Sequence, residues 1–88
     1  MVDTNSMPAE ITLRQILGEN LKRLRAEREW SQEELAYQAQ LHRTFVAHVE
    51  RCQRNISLDN IEKLAQAFQI PAFQLLTPMF PGESRLTD

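Results

Sequence analysis

The stretch "WSQEELAYQAQLHRTFVAHVE", residues 30–50, constrains the fold more than any other part of the chain. Ser31 followed three residues later by Glu34 is the pattern of a capping box, in which each side chain satisfies a free backbone N–H at a helix start. Trp30, just before the cap, is placed to pack on Leu35 as a hydrophobic staple, which favours a core role over an exposed stacking platform. A helix is therefore predicted from Gln32 to about Gln40. A second helical stretch, Arg43 to Arg51, follows after only Leu41 and His42. So tight a link forces two short helices to cross steeply.

The remainder reads as helix too, with only two glycines and no strand-like alternation. Leu13, Ile16, Leu17, Leu21 and Leu24 recur at three- and four-residue steps, opposite Arg14, Glu19, Lys22 and Arg23, which predicts a helix from about Thr12 to Glu29. Gly18 inside it costs about 1 kcal/mol against alanine, so another backbone is expected to pass close there. In "NISLDNIEKLAQAF", Ser57 caps, Ile56 is placed to staple to Ile61, and Asp59 complements the positive helix start. Ile61, Leu64, Ala65 and Phe68 form the stripe of that helix. Pro71 suits the first turn of a short fifth helix running through Leu76 and stopping before Pro78. The expected fold is all-α: a compact five-helix domain over residues 11–77, between an N-terminal tail (1–10) and a C-terminal tail (78–88).

A chain of 88 residues supports one small core and no cleft between lobes. No apolar run approaches the roughly 20 residues of a membrane span, and "MVDTNSMPAE" has neither the basic start nor the apolar middle of a secretory signal. One cysteine, Cys52, makes no internal disulfide and suits a reducing cytoplasm. Read as a tolerated exposed residue, it needs no redox role. His42 and His48 are six residues apart, not the three or four that place two ligands on one helical face, and no cysteine or acid spacing completes a zinc set. No nucleophile, base and orienting group recur at a motif spacing, so no enzyme activity, metal or cofactor is expected.

The net charge of −2 argues against a non-specific nucleic-acid coat, but its distribution is uneven. Residues 12–30 carry five basic and three acidic side chains, residues 43–54 carry three and one, and the rest is acidic. That segregation permits one positive face on an acidic protein. In the third helix, Val46 and Val49 point inward together with Leu41 before them, while Arg43, Thr44, Ala47, His48 and Arg51 fall on the opposite side. Glu50 lies off that outward face, which carries no acid and keeps a small residue at its centre. Such a face fits a major groove, where small residues allow close approach and long donors reach base edges.

Residues 16–76 resemble the phage-repressor and Cro type of helix-turn-helix domain, the Xre-like family with the lambda-repressor-like fold. The matching segments are "LGENLKRLRAEREWSQEELA", "RTFVAHVER" and "RNISLDNIEKLAQAF". "HRTF", "VER" and "RNISL" are also similar to the small controller proteins of restriction–modification operons. The resemblance implies that Gln32–Gln40 and Arg43–Arg51 are the two motif helices, and that Arg43, Thr44 and His48 read bases around the small Ala47. Arg43 has a fork suited to guanine O6 and N7, and Thr44 offers a hydroxyl to a base and a methyl to thymine. Gln32 matches a glutamine that meets phosphate and props the reading residue. Arg51, Arg54 and Asn55 are expected to grip the backbone. Arg25 and Glu50 align with a pair that joins the first and third helices, a scaffold role. His42, at a helix cap, is read as a surface residue.

The sequence also departs from that family. Cys52 stands where glycine usually ends the helix, so this end is expected to be shaped differently. Phe45 replaces a common tyrosine, and His48 replaces smaller or amide residues. Such modules work as homodimers on palindromic DNA. Phe73, Leu76, Met79 and Phe80 are the expected dimer surface, with a lid over the fourth helix as their alternative role. The function implied is a sequence-specific regulator bound to a double-stranded DNA operator. The rival reading is an antitoxin-like module that sequesters a second protein and also binds its own operator.

Overall fold

The computed structural model of the chain describes residues 11–79. These residues form five α-helices: α1 (Leu13–Arg28), α2 (Gln32–Ala39), α3 (Arg43–Glu50), α4 (Leu58–Phe68) and α5 (Ala72–Leu75). Helix α1 packs on α3 and α5, α2 packs on α3 and α4, and α4 packs on α5. Leu17, Leu21, Leu35, Val46, Leu64, Phe68 and Leu75 make the centre of the core. Of the stripe expected on α1, Ile16, Leu17, Leu21 and Leu24 are buried. Leu13 is not; it is 61% exposed at the first position of the helix.

The helix starts are set by local hydrogen bonds. Thr12 and Gln15 form a complete capping box: the Gln15 N–H donates to Thr12 Oγ1 at 3.2 Å and the Thr12 N–H to Gln15 Oε1 at 2.8 Å. At α2 only half of the expected box is present. Ser31 Oγ accepts from the Glu34 N–H at 3.0 Å, but the Glu34 carboxylate accepts from Gln38 Nε2 at 2.8 Å, one turn further along the same face. Ser57 Oγ caps α4 through the Asn60 N–H at 3.1 Å. Pro71 stands one place earlier than expected. It is the extended cap before α5 (φ −65°, ψ 144°), and that helix ends after one turn at Leu75.

The ends of α1 to α4 share one device. Glu29, Gln40, Cys52 and Gln69 all have positive φ, between 58° and 63°, and none is glycine. After each, the next N–H bonds back onto the helix: Trp30 to Arg25 O, Leu41 to Ala36 O, Gln53 to His48 O and Ile70 to Ala65 O. This is the Schellman arrangement. Trp30, Leu41 and Ile70 pack against the core, so their burial offsets the strain of the left-handed residue before them. The expectation that Cys52 reshapes the end of α3 is therefore corrected. Cys52 itself takes the left-handed conformation at φ 63°, its N–H bonded to Val49 O and its Sγ 3.5 Å from Arg14 O.

Two residues of α1 fix the neighbouring elements. A Cβ on Gly18 would meet Glu50 O at 2.8 Å, so the backbone expected to pass close to this glycine is the end of α3. Asn20, fully buried, donates from Nδ2 to Leu75 O and Thr77 O, both at 2.9 Å. It ties the end of α5 to α1, and the sequence reading missed it. Its signal was available: an amide at position 20 interrupts the apolar stripe between Leu17 and Leu24. Beyond the α1 end, Trp30 stacks on Phe68 with ring centroids 5.5 Å apart. Arg28 covers both rings and donates to Phe68 O at 2.9 Å.

Candidate nucleic-acid interface

Val46 and Val49 seat α3 in the core, and the periodicity of the helix turns the remaining side chains outward. Arg43, Thr44 and Arg51 are exposed, while Ala47 and His48 are half-buried. The His48 Nδ1 atom is enclosed and has no hydrogen-bond partner. No carboxylate of α3 lies on this face, since Glu50 is turned in. The nearest acid comes from α2, where Glu33 reaches Arg43 Nε at 3.7 Å with both side chains largely in solvent. An exposed pair of that kind is worth little, about 0–1 kcal/mol, and yields readily to a stronger acceptor.

Glu50 holds the motif together from below. Arg25 donates to it through two parallel bonds, Nε to Oε2 at 2.7 Å and Nη2 to Oε1 at 2.9 Å. Its third donor, Nη1, reaches Trp30 O at 3.0 Å. Gln32 Nε2 adds a bond to Glu50 Oε1 at 2.9 Å. One carboxylate, 2% exposed, thus gathers α1, α2 and the end of α3. The bond takes one of the two amide hydrogens of Gln32 and leaves the other. The Gln32 and Glu33 backbone N–H groups begin α2 without intrahelical partners, the arrangement that favours a phosphate oxygen.

The turn after α3 is basic. Arg51 Nε donates to Gln53 Oε1 at 3.2 Å. The Arg54 guanidinium lies over the Phe45 ring, 5.4 Å from its centroid. Phe45 thus positions a neighbouring cation where a tyrosine would offer its own hydroxyl. Asn55 Oδ1 accepts from Arg14 Nη2. The structure therefore brings Arg43, Thr44, Ala47 and His48 onto one side of α3, with Arg51, Arg54 and Asn55 at its end and Gln32 beside it through Glu50. Far from this surface in sequence, Phe73 is 69% exposed and Met79 is also exposed. Leu76 is half-buried and packed against the core, and Phe80 lies outside the described residues. Among the described residues no three His, Cys, Asp or Glu side chains gather as a metal site, and no helix is long and apolar enough to cross a membrane.

The sequence model of the helix-turn-helix family matches residues 21–75, from the middle of α1 to the end of α5. The chain belongs to the helix-turn-helix family. This helix-turn-helix protein is 50% identical over 72 residues to a hypothetical transcription factor of Neisseria meningitidis, covering 82% of this chain and 68% of the relative. It is similar to the restriction–modification controller protein C.AhdI from Aeromonas hydrophila, with a TM-score of 0.68 and 45% identity over 70% of this chain and 94% of that one. The controller protein C.Esp1396I, solved as a tetramer in complex with its natural 35 base-pair operator, is similar at a TM-score of 0.67 and 28% identity, covering 75% of this chain and 91% of that one. Relatives of this Xre-like helix-turn-helix protein thus include a hypothetical transcription factor and a restriction–modification controller protein.

Proposed function

We propose that the protein is a cytoplasmic, sequence-specific transcriptional regulator that binds a palindromic double-stranded DNA operator as a homodimer and controls its own restriction–modification operon. The observation that carries this reading is the exposed, acid-free side of α3, held rigidly by the buried Glu50 cluster. The operator complex of the similar C.Esp1396I supports it.

In this mechanism α3 enters the major groove. Arg43 exchanges Glu33 for the O6 and N7 acceptors of a guanine, Thr44 meets an adjacent base, and Ala47 allows the helix close approach. His48 lines the same side. Gln32, Arg51, Arg54 and Asn55 contact phosphates and set the register without reading sequence. One short helix makes few base contacts, so a second copy reads a second half-site about 34–36 Å away along the duplex. Phe73, Leu76 and Met79 form the pairing surface.

Selecting bound sequences from a random duplex pool defines the site, and two variants then test the roles. Arg43→Ala is expected to lose about 1–3 kcal/mol of discrimination between that site and random duplex. Arg54→Ala is expected to weaken both by about the same factor. Equal losses on the two duplexes for Arg43→Ala would refute its reading role.

A further inference from the structure

The ion pairs sort the cations of this chain into two groups. Lys22, Arg23, Arg25, Arg28 and Arg43 each have a carboxylate within 4.0 Å. Arg14, Arg51, Arg54 and Lys63 have no such partner among the described residues. Of these four, Arg14 comes from the first turn of α1 and yet reaches the turn after α3, far away in the chain. Residue 14 is seated there twice. Its guanidinium donates to Asn55 Oδ1 in the turn after α3, and its backbone oxygen accepts from Cys52 Sγ at 3.5 Å.

This acidic protein pairs its other described arginines with carboxylates and leaves Arg14, Arg51 and Arg54 in solvent without one. Arg14 has five N–H donors in a planar fork and commits one of them to Asn55, so the rest are open. Asn55, itself a proposed phosphate contact, holds that fork at the turn after α3. A planar fork fixed in this way fits a phosphodiester oxygen.

We propose that Arg14, seated on Asn55, is a DNA-phosphate contact that reaches the duplex backbone from the start of α1. This rests on the DNA-binding reading above. The test measures affinity for a random-sequence duplex of about 30 base pairs, and for the selected site, across about 50 to 200 mM salt. Wild type is compared with Arg14→Gln, which removes the charge but keeps an amide able to bond Asn55, and with Arg14→Lys, which keeps the charge. In Arg14→Gln the log–log salt slope is expected to fall by about 0.9, with equal loss on both duplexes, and in Arg14→Lys it stays at the wild-type value. A wild-type slope in Arg14→Gln overturns the proposal. So does an equal reduction in both variants accompanied by a lowered melting temperature, which marks a purely structural tie. A wild type that binds neither duplex overturns the DNA-binding reading itself, and is told apart because the variants then cannot differ from it.

Discussion

Position 52 asks for a backbone at φ 63° and is filled by a residue with a Cβ. Cysteine takes that conformation because two main-chain bonds close the end of α3 around it and its thiol meets Arg14 O. Replacing it by glycine keeps both main-chain bonds and removes the steric strain. Cys52→Gly is expected to gain about 1 kcal/mol. For a domain of this size that is a rise of about 4–8 °C in melting temperature, and an unchanged value would count against the strain. The demand at this site was legible in the sequence, because a cysteine stands where related chains end the helix with glycine. The outcome was not, because it depends on a contact with Arg14, 38 residues away. Gly18 shows the opposite case, since a glycine inside a helix announces a close neighbour without naming it. Only the fold identifies that neighbour as Glu50 O.

Among the elements, helix starts were easier to read than helix ends. Ser31 and Ser57 advertise their caps by residue type, whereas Glu29, Gln40 and Gln69 close their helices in a conformation that their side chains do not signal. The complete box at Thr12 and Gln15 was passed over, although its spacing is the same as that of Ser31 and Glu34. What orders the motif helices relative to one another is the carboxylate of Glu50, shared by Arg25 and Gln32. Truncating it leaves an arginine only 19% exposed without its partner. Glu50→Ala is therefore expected to cost about 3–5 kcal/mol, readable as a lowered midpoint in urea unfolding. An unchanged midpoint would show that the pair is not scaffold.

For the whole molecule, the open question of assembly falls on the α5 end. Phe73 is far more exposed than Leu76, which already packs against the core, so Phe73 is the cleaner probe of pairing. Phe73→Asp is expected to leave the helical content intact and to shift the species in solution from dimer to monomer, as read by sedimentation at micromolar concentration. A wild type that is already monomeric there would remove these residues from the interface. The five-helix plan was legible because each helix carries its own apolar stripe and most carry a cap. The Arg14–Asn55 contact was not, because Arg14 joins residues 52 and 55 only through the way α1 folds back over the end of α3.

Gly18 and Asn20 sit within one turn of each other on α1, one pressed against the end of α3 and the other bonded to the end of α5. That half-turn works as a caliper with one jaw on each element. A dimer joined through the α5 end would carry its two probes at a set interval, able to skip neither a base pair nor a few degrees of duplex twist without opening a jaw.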